Sequence, residues 1–298
     1  MNRQRPTPHT RAAIGARLLR ELLPVAAALA AYVLVQDLAA TQVGRAAEHA
    51  LALIAAERAL DLFLEPRLQA WALDHAWQLP VWNAVYFWGH VPVIGALAAW
   101  LLWRHWETYT VMRTAFLISA LFAITCSALY PVVPPRLLPE YGFVDTIAQS
   151  NAASYQGRSL QPLVNPYAAM PSLHLGWALL CGIALARVRP DRLGRLLGGL
   201  LPTAMAAAIL LTGNHFLLDG VVGIALCLAA LLFAHGWEAA RSTTHCWRAE
   251  IWHARWWRWL LPSRQGVRAP EDQLTDGMPR RLDRYGHRHP QPIATDVP

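Results

Sequence analysis

The sequence predicts an all-α fold, a bundle of six transmembrane helices with both chain ends on the cytoplasmic side, and three observations carry that expectation. Of 298 residues, 55% are hydrophobic and only 15% charged, a balance foreign to a soluble domain of this length. Six predominantly apolar runs, near 22–40, 81–103, 111–133, 170–187, 196–213 and 216–234, approach the roughly 20 residues a helix needs to cross a bilayer. The arginines gather between alternate runs, the distribution expected of short cytoplasmic loops.

Residues 1–20 form a basic cytoplasmic N-terminus carrying Arg3, Arg5, Arg11, Arg17 and Arg20. The apolar run that follows has no small-residue cleavage site and more spans come after it, so it reads as the first span and not as a leader. Residues 44–75 set Glu48, Glu57, Arg58 and Asp61 among Leu51, Ile54, Leu60, Phe63 and Leu64. That mixture is too charged to span and suits a helix lying on the outer surface. Arg104 and Arg113 separate the second and third spans; Arg187, Arg189, Arg192 and Arg195 separate the fourth and fifth. The last two spans are nearly continuous, but about 39 helical residues at ~1.5 Å each would reach roughly twice the ~30 Å hydrocarbon thickness. A turn at Gly213-Asn214 is therefore required. In 236–261, Trp247, Trp252, Trp256, Trp257 and Trp259 alternate with arginines, as in a segment resting on anionic lipid headgroups. Residues 262–298, rich in Pro, Arg and Asp without apolar periodicity, read as a disordered cytoplasmic tail. The membrane catalytic region is thus 21–235.

The net charge of +7 does not point to nucleic acid, because the arginines lie between apolar runs and not along one basic face. Cys126, Cys181, Cys227 and Cys246 show no metal-ligand spacing, and three of them sit inside apolar runs, so they read as small core residues. Neither an internal repeat nor a Gly-rich nucleotide loop occurs, and no cofactor is expected.

Three segments carry chemistry: Pro134-Pro135-Arg136 after the third span, Asn165 to His174 entering the fourth, and Thr212-Gly213-Asn214-His215 with Asp219 entering the sixth. The topology brings all three to one membrane face. His215 and Asp219, four apart, would share a helical face, where Asp219 can accept a hydrogen bond from one imidazole nitrogen and leave the other as a nucleophile or base. An acid one turn inside a membrane helix is expensive and therefore marks function. Spans four and six would both point their N-termini outward, favouring an anion. Arg136 adds a guanidinium able to clamp phosphate oxygens. His174, His215 and Asp219 could also ligate a metal, but the Asp is placed to orient His215, and no metal is expected. His49, His75, His90 and His105 have no such partners and read as structural.

The strings Ala-Ala-Met-Pro-Ser-Leu-His (168–174) and Thr-Gly-Asn-His-Phe-Leu-Leu-Asp (212–219) resemble those of the type-2 phosphatidic acid phosphatase superfamily, and most of all its inositol phosphorylceramide synthase-like branch. The resemblance covers roughly 40–235. It implies that His215 is a nucleophile forming a phospho-histidine, Asp219 its orienting partner, and His174 the acid that protonates the leaving alcohol. Ser172 would bind phosphate, with Arg136 and Asn214 completing the substrate-binding set. The phosphatase branch carries lysine and arginine in its first motif and a Ser-Arg pair upstream of the third-motif histidine. This chain has no lysine, and Ala208-Ile209 stand in place of that pair.

The expected function is therefore lipid phosphotransfer on the extracytoplasmic face of a cell membrane, through a phospho-histidine on a membrane lipid substrate. Two alternatives stand beside it: a phosphatase of phosphatidate or polyprenyl phosphate, and a lipid-binding protein without turnover. In the 134–169 loop, Tyr141, Asp145, Tyr155 and Tyr167 offer groups that could exclude water and position an acceptor alcohol.

Overall fold

The apolar runs fold as helices broken by Gly, Pro and Asn, and the computed structural model describes residues 19, 21–34, 42–149 and 168–242. The helices are α1 (Glu21–Leu34), α2 (Val43–Ala59), α3 (Glu65–Asp74), α4 (Leu79–Trp88), α5 (Val91–Arg104), α6 (Trp106–Leu129), α7 (Thr146–Gln149), α8 (Leu173–Val188), α9 (Arg192–Leu211) and α10 (Leu217–Ser242). No strand occurs among the described residues; Val132 and Ala168 form one isolated parallel bridge. All described residues belong to the unit Met1–Thr244. Most of the basic N-terminus, the Trp/Arg stretch from Trp247, the tail from 262, and Tyr155 and Tyr167 lie outside them.

The expectation of six spans is corrected. Among the described residues, three helices, α6, α9 and α10, are long and apolar enough to cross a membrane, and a fourth span arises if the segment Ala76–Trp88 and α5, bent by 43°, is counted as one. The bend falls where Gly89 and His90 leave the helix and Pro92 enters the first turn of α5, a position proline tolerates because no intrahelical partner is lost. Helices α1 and α8 are apolar but short: the 16 residues of α8 rise only about 24 Å. The predicted run 111–133 stops at Leu129 because Pro131 and Pro134 cannot continue the ladder.

The single interfacial helix expected near 44–75 is two helices, broken at Leu60–Leu64, with Asp61 at φ 56, a left-handed position that Asp tolerates. Ala46, Ala50, Leu53, Ile54 and Glu57 line the buried edge of α2, and Glu65, Gln69 and Ala72 that of α3. These spacings of three and four make one stripe per helix. The α2 stripe packs against Val132, Val133 and Phe216.

Helix α8 is the centre of the bundle, packed on α9, α10 and α6. Small residues make this possible. A Cβ on Gly182 would collide with the Gly198 carbonyl of α9, and one on Gly223 of α10 with the Ser172 carbonyl. The two ends of the bundle differ. At one, Arg113 bonds Glu21 (2.6 Å) and lies 3.7 Å from Glu238, and Arg187 approaches His235 at 3.5 Å. At the other stand Arg136, Ser172, His174 and His215. Exposed tryptophans mark both ends, Trp71 and Trp77 beside the histidines and Trp103, Trp106 and Trp237 beside the arginines, as at the two interfaces of a bilayer.

Candidate active site

Thr212-Gly213-Asn214-His215 closes α9 and does not open α10. Gly213 takes φ 66, its N–H donates to the Leu210 carbonyl (3.1 Å), and the Asn214 N–H reaches back to that of Ile209 (2.9 Å). These two bonds define a glycine-ended helix terminus, in which glycine alone takes the left-handed conformation cheaply. A Cβ at Gly213 would also stand 2.6 Å from Gln69 Nε2. Asn214 is buried and donates its amide N–H to Thr212 Oγ1 (2.6 Å).

The turn delivers His215 between a carbonyl and a second imidazole. His215 Nδ1 lies 2.8 Å from the Ala169 carbonyl oxygen, and His215 Nε2 lies 3.3 Å from His174 Nδ1. A carbonyl only accepts, so Nδ1 carries the proton and neutral His215 presents a lone pair at Nε2. The N–H in the second contact then belongs to His174. One ring is ready as nucleophile or base, and the other faces it as donor.

The plane of His174 is fixed by stacking. Tyr86 of α4 stacks on it at 4.2 Å, His90 packs against it at 4.1 Å with the rings tilted by 30°, and His90 in turn stacks on Trp177 at 5.3 Å. Trp177 donates to Ser119 Oγ (3.0 Å). His90 was expected to be structural; instead it joins the site, and its Nδ1 is buried with no hydrogen-bond partner among the described residues.

Asp219 sits differently from the sequence expectation. Helix α10 begins at Leu217, so His215 precedes it and shares no helical face with Asp219. Asp219 Oδ2 accepts the Phe216 N–H (2.9 Å) and stays 3.6 Å from His215 Nδ1, beyond hydrogen-bond reach. The Ala169 carbonyl orients the ring, and Asp219 adds a nearby charge. The N-terminus of α10, expected to be free for an anion, is closed: Glu65 Oε1 accepts from Leu217 N–H (2.7 Å) and Glu57 Oε1 from Leu218 N–H (2.8 Å). At the N-terminus of α8, by contrast, no side chain caps the helix, and Ser172 Oγ is buried without a partner among the described residues.

Arg136 is tied to the same turn, since its backbone N–H donates to the Gly213 carbonyl (2.7 Å). Its Nη1 bonds Asp145 (2.7 Å), whose other oxygen takes the first N–H groups of α7. The Arg136 Nε is buried and unpartnered among the described residues, so one edge of the guanidinium is held and another is open to an anion. Gln69 clamps both backbone groups of Val144 at 2.9 Å, and Asn83 bonds the Thr146 carbonyl (3.2 Å). The loop bearing Arg136 is thereby anchored to α3 and α4. Among the described residues, no group of three or more His, Cys, Asp or Glu side chains is arranged to hold a metal ion.

Sequence reasoning missed His90, Glu57, Glu65 and the Ala169 carbonyl. A family model described as the PAP2 superfamily matches residues 51–233, a stretch that contains every one of these groups. No curated protein and no solved structure matches the chain.

Proposed function

The chain belongs to the PAP2 superfamily, and on that premise we propose that it is a membrane phosphotransferase. In this reading it moves a phosphate-bearing group from a lipid phosphate or phosphodiester to an alcohol, in the manner of the inositol phosphorylceramide synthase-like branch. The observation that carries this is the bare Nε2 of His215 facing the N–H of His174 at 3.3 Å. His215 Nε2 attacks phosphorus; the P–N bond forms as the P–O bond to the leaving alcohol breaks, and His174, entering this step as the imidazolium, delivers one proton to the leaving oxygen and is left neutral. The acceptor hydroxyl then attacks phospho-His215, returns a proton to His174 and frees the His215 lone pair. Asp219, 3.6 Å from Nδ1, offsets the positive charge on the phosphorylated ring. Arg136, Ser172 Oγ and the first N–H groups of α8 meet the phosphate oxygens. By the arginine distribution, this end of the bundle faces away from the cytoplasm.

What favours transfer over hydrolysis is the scarcity of cations beside His215 among the described residues: Ala208 and Ile209 are buried in α9 where the phosphatase branch has its polar pair, and they give Arg136 no second clamp there. A monoester carries about −2 at neutral pH and suits such a site less well than a singly charged phosphodiester.

The test supplies a labelled phospholipid to the purified protein in vesicles, with and without diacylglycerol, an inositol lipid or a long-chain alcohol. Acid-labile, base-stable label on the protein, lost in His215→Ala and captured by one acceptor, is expected. Label released only as free phosphate from monoesters makes the protein a phosphatase. With neither protein nor product labelled, it is a lipid-binding protein without turnover.

A further inference from the structure

Glu57 of α2 and Glu65 of α3 are completely buried, although their helices are largely exposed. Each gives one oxygen to α10, at Leu218 N–H (2.8 Å) and Leu217 N–H (2.7 Å). The other oxygen of each, Oε2, is buried with no hydrogen-bond partner among the described residues, as is Asp219 Oδ1. Three carboxylates therefore converge on three successive N–H groups of one helix end. The groups facing Glu57 are Glu65 from α3 and Asp219 from α10, with His215 lying beyond Asp219. The neighbouring Arg58 turns away, over the rings of Phe63 (5.1 Å) and Tyr141 (5.8 Å). A helix N-terminus supplies only about half a positive charge, and three unpaired negative charges cannot share a buried site. One proton has to remain there.

We propose that Glu57 and Glu65 are positioning residues that act through α10: Glu57 keeps a proton in this cluster of carboxylates, and its loss at alkaline pH drives the α2–α3 hairpin off the helix end and releases His215 from Ala169. The inference rests on the reading of His215 as nucleophile, two residues before the Leu217 N–H that Glu65 holds. The direction of titration agrees. Burial pushes the Glu57 carboxyl up to about 8; the Leu218 N–H opposes this, and the charges of Glu65 and Asp219 add to the rise.

The experiment is a pH profile of kcat and KM for the full chain in vesicles, with infrared titration of the protonated carboxyl band on the same samples. Wild type is expected to lose turnover above about pH 8 as the band disappears. Glu57→Gln keeps the acceptor oxygen and cannot ionise; it should hold kcat within about threefold at neutral pH and abolish the alkaline fall. Glu57→Ala frees the Leu218 N–H and should lower kcat about tenfold with KM within about twofold. An alkaline fall in Glu57→Gln identical to that of wild type, or no carboxyl band that this variant removes, overturns the proposal, even if Glu57→Ala does not fold. A wild type inert on every lipid phosphate ester overturns the proposed function instead, and the infrared titration still reports the proton on Glu57.

Discussion

Replacing Asp219 with asparagine separates its charge from its hydrogen bond. The amide oxygen can still accept the Phe216 N–H, held at 2.9 Å, but the carboxylate nearest His215 no longer offsets a positive charge on the ring. At the 3.6 Å separation, a unit pair is worth about 1.2 kcal/mol at an effective dielectric of ~80 and about 4.6 kcal/mol at ~20. Formation of phospho-His215 should therefore slow between roughly tenfold and two-thousandfold, and full burial of Asp219 favours the upper half of that range. Unfolding temperature should hardly move in Asp219→Asn, whereas Asp219→Ala also frees the Phe216 N–H and should cost about 1 kcal/mol of stability. Single-turnover labelling measures the first quantity and thermal unfolding in detergent the second. Slowing of less than about threefold in a folded Asp219→Asn protein would refute the electrostatic role and leave Asp219 as a helix cap alone.

His90→Phe keeps a ring between His174 and Trp177 but removes both nitrogens; kcat should fall about tenfold with the fold intact, and an unchanged kcat would reduce His90 to packing. Gly213→Ala meets both the left-handed backbone and the Gln69 amide, so stability should drop by about 2–4 kcal/mol in thermal unfolding; a change below about 0.5 kcal/mol would mean the turn adapts freely. Folded Glu57 holds its proton to about pH 8, whereas the unfolded chain releases it near the ordinary 4.5. The unfolded state thus binds fewer protons in that window, and stability should fall as pH rises through it; Glu57→Gln should flatten the slope, and a rise in wild type over the same window would show Glu57 already ionised in the fold. With native cysteines replaced, a cysteine substituted for the exposed Glu140 should react with an impermeant thiol reagent outside the cell and one substituted for Arg192 should not; the reverse labelling would invert the topology.

The two histidines and Arg136 are legible in the sequence because each stands beside a helix-breaking residue at the same end of an apolar run, and alternation of spans then brings them together. What is not legible comes from packing between distant segments. His90 occupies a break between apolar helices with no polar neighbour in sequence, and its significance depends on the bend that lays it on His174. Glu57 and Glu65 look like the charged face of an amphipathic pair, since nothing local says that α10 ends over them. The Ala169 carbonyl that selects the His215 tautomer is backbone and leaves no side-chain signal. The spacing of His215 and Asp219 suggests a shared helical face, which fails because the turn that ends α9 uses up His215 before α10 starts. Span counting errs for a related reason: hydropathy registers apolar length but not the breaks at Gly89-His90 or the shortness of α8.

The shortness of α8 bears on which membranes suit this protein. It joins the arginine end to the histidine end in 16 residues, while its neighbours α9 and α10 run for 20 and 26. Its rise of about 24 Å is roughly 6 Å less than a ~30 Å hydrocarbon core, so a bilayer has to thin around α8, or its longer neighbours have to tilt to match it. Longer acyl chains enlarge that mismatch, at a fraction of a kcal/mol for each ångström, so the proposed turnover is expected to change with lipid chain length.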